Sequence, residues 1–230
     1  VTSQIPLSYS RLATFEACEA KFNYLYVAKT VVDTDNEFTI YGNRVHSELE
    51  LYAKVKLGQE SEDKLSELHP VRAASMWYPL VDRALQSPGT HYFEKQMAIT
   101  KAKQPCDWFA IDVWLRGIAD VLVVNNDVAY CLDWKTGKIK DDPTQLKLFA
   151  AMIFAHFPEV RRVKTCFVWL HHGDTTESEY SVNDLDNIWA ELEPRFDRVQ
   201  EAVELGVFKA KPSGLCRFCA ARQICSDARI

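Results

Sequence analysis

The sequence predicts an α/β fold: a central sheet flanked by helices, preceded by a mainly helical region and followed by a cysteine-rich tail. Three observations predict it. Runs rich in β-branched and aromatic residues recur at 91–100, 108–113, 118–124, 128–134 and 165–171. Between and around them, apolar residues fall at helical spacing, as in Val45, Leu49, Tyr52 and Val55, or Ile188, Leu192, Phe196, Val199 and Val203. The chain's 230 residues, 47% of them hydrophobic, suffice for one sizeable core.

The elements follow in order. Ser8 caps a helix or helix pair reaching Val27, with Leu12, Phe15, Phe22 and Leu25 as its apolar face. A polar link over 33–37 leads to a helix over 38–58, in which Glu48 and Glu50 read as solvated. One or two helices fill 61–86, with breaks expected near Pro70 and Pro79 and with Trp77-Tyr78 as packing surface. The sheet begins at His91–Thr100, turns through 101–107 and resumes at Trp108–Val113. Asp141-Asp142-Pro143 caps a helix over 144–157 whose core face is Leu146, Phe149, Ala150, Ile153 and Phe154. Arg161, Arg162 and Lys164 precede a strand over 165–171 and form a candidate phosphate-contact cluster. An edge strand near 179–180 and a long amphipathic helix over 183–205 complete the core. The chain therefore reads as one domain: a helical region (1–88), an α/β core (89–205) and the cysteine tail (206–230).

Composition sets bounds. No apolar run approaches a membrane span, and no basic, apolar leader pattern opens the sequence. A net charge of −5 argues against nucleic-acid binding through bulk basicity, although local Lys/Arg clusters can still contact phosphates. Seven cysteines, three of them crowded at the C-terminus, suit a metal site in a reducing compartment better than a disulfide framework.

The most informative stretch is Gly117–Lys138. Two β-rich runs flank Asn125-Asn126-Asp127, a break suited to a tight hairpin. With Asn126-Asp127 as a two-residue loop, Asn125 pairs with Val128 and Asp120 falls opposite Asp133, while Lys135 leans to the same face. A solvated face with alternating charges would also produce such a pattern. Here, however, the aspartates interrupt runs of Val, Ile and Leu, where like charges desolvate poorly. A divalent cation between them removes both the repulsion and the desolvation cost. In the tail, Cys216, Cys219 and Cys225 form a C-x2-C-x5-C pattern, a spacing that suits a metal or cluster.

Asp120 followed by Asp133-x-Lys135 at the end of the next strand resembles the core of the PD-(D/E)xK nucleases. The form GIAD…DWKTGK is similar to the RecB-like branch, which includes the AddB nuclease domain and the CRISPR-associated exonucleases. The resemblance implies a restriction-endonuclease-like mixed sheet. It also implies Mg²⁺ or Mn²⁺ held by His46 (in a G-x-x-x-H helix opened by Gly42), Asp120, Asp133 and the Trp134 carbonyl. Lys135 would then orient or deprotonate the attacking water. Glu94 stands where many members carry a site glutamate. Gln145 and Phe149 occupy the places of a Q-x-x-x-Y motif, with Phe replacing Tyr and so reading as packing.

The same resemblance pairs Cys18 with Cys216, Cys219 and Cys225 around a [4Fe–4S] cluster, with tetrathiolate zinc as the alternative. The implied activity is a metal-dependent deoxyribonuclease, an exonuclease with or without endonuclease action, on single-stranded DNA or DNA ends. Its settings would be recombination, repair or CRISPR processing in the cytoplasm of a bacterial, archaeal or phage-infected cell. Its protein partners would be a second copy or a recombination, repair or CRISPR protein. Other readings are a catalytically silent DNA-binding or assembly module, a metal- or redox-sensing regulator, or the nuclease subunit of a helicase–nuclease complex. No Walker-type G-x-x-x-x-G-K-[ST] occurs, so a motor would have to be another chain.

Overall fold

The computed structural model describes residues 5–33, 36–67, 74–140 and 142–228, so the breaks expected at Pro70 and the Asp141 part of a helix cap lie outside the described residues. Five strands, β1 (Thr90–Thr100), β2 (Val113–Asn125), β3 (Val128–Lys135), β4 (Arg162–Trp169) and β5 (Asp174–Ser181), form one sheet in sequence order. Its neighbours are antiparallel except β3 and β4, which run parallel. A parallel pair requires a crossover, and the intervening helix over 144–156 supplies it. The helices are α1 (Tyr9–Ala17), α2 (Glu19–Phe22, continuing as a π-helical turn over Asn23–Val27), α3 (Glu37–Lys56), α4 (Glu62–Glu67), α5 (Tyr78–Gln86), α6 (Thr144–His156) and α7 (Leu185–Leu205). Sheet and helices together make the mixed α/β architecture that the sequence predicts.

Two cores sandwich the sheet. On one face α1, α6 and α7 pack Leu12, Met152, Ile153, Leu192 and Phe196 against Met97, Leu122 and Cys131. On the other, Val45 and Leu49 of α3 and Val81 of α5 meet Val121, Val123 and Trp134. α6 is apolar almost all round because it lies between the sheet and the outer helix. It also approaches β2 closely: a Cβ at Gly117 would sit 3.2 Å from both Phe149 and Met152. Phe149 is thus packing, one helical turn after Gln145.

The hairpin register matches the expected pairing, from Asn125 opposite Val128 to Val121 opposite Leu132. Asn126 turns the chain at φ 52, a left-handed conformation that Asn tolerates. Beyond Val121–Leu132 the two strands part, and Leu7 instead bridges β2 at Leu115, closed by Leu7 N–H to Trp114 O and Arg116 N–H to Leu7 O at 2.8 Å each. The gap between these two pairings exposes a short stretch of β2 edge.

Several expectations give way. Residues 108–112 form turns, and β2 begins only at Val113. Pro79 stands in the first turn of α5, where its missing N–H costs nothing. Glu48 is not solvated: it is 2% exposed and accepts from Ala74 N–H at 3.1 Å and from the Tyr78 hydroxyl at 3.0 Å. β4 begins at Arg162, opposite Val128 at the far end of β3 from Asp133. Lys164 there pairs with Glu179 at 3.6 Å. The Arg161–Lys164 cluster is therefore remote from the aspartates and carries no site.

Candidate active site

Local backbone geometry assembles the site. β1 and β2 keep one register, in which Glu94 faces Asp120, yet the ladder skips that step and Glu94 sits at φ 49. A left-handed residue within a strand reverses which side chains face inward. Before it, Tyr92 and Leu122 face the α6 core while Phe93 and Val121 face the α3 core. After it, odd-numbered Met97, Ile99, Leu115 and Ala119 join the α6 core. Glu94 and Asp120 thus lie at the change of phase, reachable from both faces of the sheet.

From the α3 side comes His46, whose Nδ1 lies 3.2 Å from Asp120 Oδ2. α3 can pass this close because Gly42, one turn earlier, abuts Thr136 Oγ1, which would sit 3.1 Å from an added Cβ. His46, Glu94 and Asp120 each place a donor atom within 4.8 Å of the others, the one such group of three among the described residues. Trp134 joins through its N–H, which donates to Asp120 Oδ2 at 2.7 Å.

From the α6 side, Gln145 Nε2 donates to Asp133 Oδ1 at 2.7 Å, and its Oε1 accepts from Lys135 Nζ at 3.0 Å. Lys135 Nζ also lies 2.6 Å from Asp133 Oδ2, an ion pair off the line of a hydrogen bond, so this buried oxygen has no directed donor. The structure therefore brings together His46, Glu94 and Asp120 as one set and Asp133, Lys135 and Gln145 as an adjoining one. Asp133, expected beside His46 and Asp120 as a ligand, instead has its oxygens turned to Lys135 and Gln145.

The electrostatics show too much negative charge for so little water. Burial, then Asp120 and Glu50, push the Glu94 carboxyl up to about 7. Burial and Asp120 likewise raise Asp133 against the pull of Lys135. His46 is drawn down by burial but more than restored by Asp120, Asp133 and Glu94, and its net shift is upward. Hard oxygen donors, an imidazole and an orphaned carboxylate oxygen are the donor chemistry a divalent cation such as Mg²⁺ or Mn²⁺ fits.

Two cavities open on this assembly. One, about 420 Å³, lies on the His46–Glu94 side along α3. The other, about 560 Å³, lies beside Lys135 and Gln145 and runs under the start of α1, where Arg11, Trp108 and Arg116 line it. None of these three is apparent from the sequence as a site residue. The one available signal is Arg116, a cation within the otherwise apolar run Val113–Ile118.

At the far end of α1, Cys18, Cys216, Cys219 and Cys225 line one small cavity. Lys211 N–H donates to Cys18 Sγ at 3.4 Å and Ser213 N–H to Cys216 Sγ at 3.3 Å. Lys21, Lys211 and Arg222 also line it. Four thiols around one space, with amide donors and cations nearby to offset thiolate charge, fit a thiolate-bound metal or cluster. Cys106, Cys131 and Cys166 stand apart, Cys131 and Cys166 within the sheet.

A mixed sheet presenting buried acids, a lysine and a histidine at the splayed ends of its strands defines a metal-dependent nuclease. A family model described as the PD-(D/E)XK nuclease superfamily matches residues 6–226, and the chain belongs to that superfamily. Among solved structures it is similar to a Eubacterium rectale protein provisionally described as an exonuclease, with 13% identity, TM-score 0.57, and coverage of 99% of this chain and 91% of that one. At that identity the likeness concerns the fold. SSO0001, at 12% identity over 81% of this chain and 86% of its own, has a TM-score of 0.37 and carries no argument. No curated protein sequence matches the chain.

Proposed function

We propose that the protein is a Mg²⁺- or Mn²⁺-dependent deoxyribonuclease of the RecB-like branch, acting as an exonuclease on single-stranded DNA or DNA ends. The carrying observation is the His46–Glu94–Asp120 group adjoining Asp133, Lys135 and Gln145. His46, Glu94 and Asp120 hold the cation, and the orphaned Asp133 oxygen faces the same charge. When bound, the cation offsets negative charge developing on the phosphate and lowers the cost of ionising water. Lys135, fixed between Asp133 Oδ2 and Gln145 Oε1, presents its ammonium toward the attacking water and a non-bridging phosphate oxygen. Gln145 fixes both partners, so neither Lys135 nor Asp133 has to reorganise during the reaction. The Trp134 N–H holds Asp120 Oδ2 in place.

Cys18, Cys216, Cys219 and Cys225 hold a [4Fe–4S] cluster in this reading, joining the two ends of one nuclease domain. That chemistry belongs to a reducing compartment, the cytoplasm. Among the described residues no helix is long and apolar enough to cross a membrane.

The test is cleavage of end-labelled single- and double-stranded DNA by anaerobically purified protein with Mg²⁺, Mn²⁺ or EDTA. Metal-dependent loss of label, absent in Asp133→Ala, is expected. Folded, cluster-loaded protein that cuts no DNA would overturn the reading. Visible absorption bleached by dithionite identifies iron–sulfur, and a colourless protein carrying stoichiometric zinc overturns that part.

A further inference from the structure

The cavity beside Lys135 and Gln145 has an unusual charge balance. Arg11, Arg116 and Lys135 line it and no carboxylate does, in a chain whose net charge is −5. Arg11 donates to Pro6 O and lies 4.9 Å over the Tyr26 ring; its principal charged neighbour is Arg116, which opposes it. Arg116 has a buried Nε without a hydrogen-bond partner, and its guanidinium lies 5.1 Å over Trp108 and 5.6 Å over Phe109. Among the described residues neither guanidinium makes an ion pair. Two half-buried like charges facing each other are costly, and an anion between them removes the cost. Ser8 and Ser10, at the N-terminus of the nine-residue α1, add hydroxyls and the positive end of the helix dipole to the same wall. Trp108, which lines the cavity with Arg116 stacked on it, offers a ring surface at its mouth.

We propose that this cavity binds the substrate strand beyond the scissile bond: Arg11 and Arg116 clamp a neighbouring backbone phosphodiester, and Trp108 receives the attached base. This rests on the nuclease reading and adds to it a direction for the strand, which leaves the cation group past Lys135 and under α1. An unstacked base fits against an aromatic side chain, whereas a duplex keeps its bases stacked, so the clamp selects single strands.

The test measures binding of fluorescein-labelled oligo-dT by anisotropy, in Asp133→Ala protein so that cleavage plays no part. Arg11→Gln and Arg116→Gln should each weaken binding about tenfold and lower the salt dependence by about one unit of log-log slope. A single neutral methylphosphonate is then moved along the oligonucleotide. At one position it should weaken binding to the arginine-intact protein about tenfold and leave the double variant unaffected. If no position shows this coupling, or Asp133→Ala protein binds no DNA, the clamp is overturned. Should Arg116→Gln fail to fold, Arg11→Gln alone still carries the coupling measurement. Wild-type protein that cuts nothing while the coupling persists would defeat the nuclease reading and leave the clamp standing.

Discussion

The two candidate metal regions sit at opposite ends of α1 and are built on opposite principles. The acidic site is set into the sheet: Asp133 is 3% exposed, and β1, β2, β3, α3 and α6 each fix a side chain in it. The cysteine site is made of half-buried thiols on a helix end, a short 3-10 turn (Gly214–Phe218) and the loops after it. In the first, the fold confines the charge and the cation relieves it. In the second, few apolar contacts hold the tail, and the metal itself supplies the crosslink. One region should therefore lose chemistry without losing structure, and the other should do the reverse.

The largest expected effect tests the first half of that contrast. Asp120→Ala, Asp133→Ala and Lys135→Ala should each lower kcat by about a thousandfold or more while the melting temperature stays within a few degrees. An equal loss of activity and melting temperature would erase the distinction between the regions. Next comes the converse. Cys18→Ser or Cys216→Ser should remove the bound metal and destabilise the protein by about 5 kcal/mol in a chain-entropy estimate, because the closed loop spans nearly the whole chain. Denaturant unfolding measures this, and an unchanged midpoint would show that the tail docks without its ligands.

Smaller effects sharpen the picture. Gly117→Ala pushes a methyl group against Phe149 and Met152 and should cost about 1–3 kcal/mol by thermal unfolding. It should also lower activity, because α6 carries Gln145. The smallest effect is on pH dependence. Folded Glu94 and Asp133 hold their protons to higher pH than in the unfolded chain. The folded state therefore binds more protons over that range, and metal-free protein loses stability as pH rises from the ordinary carboxylate range through about 7, the value for Glu94. Mg²⁺ should accordingly raise the melting temperature more above that window than below it, while the cysteine region contributes no such trend. A metal-free melting temperature that rises across the window would contradict the charge crowding.

Much of the acidic site is legible from local pattern, and its missing parts have physical reasons. The Asn126-Asp127 turn and the alternation around it suffice to bring Asp120 opposite Asp133, because side-chain period and loop length fix register together. Helix spacing places His46 on the α3 face that meets the sheet. What cannot be read is the reversal at Glu94: the run His91–Thr100 looks unbroken, and a left-handed glutamate leaves no mark in composition. Glu48 reads as solvated because its partners, Ala74 and Tyr78, lie more than six helical turns along the chain. Trp108 and Phe109 look like strand residues, but they leave the sheet to stack on Arg116, a tertiary contact that overrides β propensity. The cavity is invisible for the same reason: Arg11 and Arg116 belong to distant segments joined only through the Leu7 bridge.

The position of Cys18 has a consequence for how the chain is made. Every residue assigned to the acidic site lies between His46 and Gln145, and the strands and crossover helix that carry them are complete well before Cys216 is synthesised. Domains acquire structure from the N-terminal side as they emerge, so the nascent chain can assemble its acids while Cys18 is still a lone thiol. Glu16, one turn from Cys18 on α1, is held by both arms of Arg195 at 2.7 and 2.8 Å, and Arg195 in turn donates to Thr144 Oγ1 at the start of α6. Translation of α7 therefore positions the waiting thiol before its three partners leave the ribosome, and loading of the metal becomes the last step of biosynthesis.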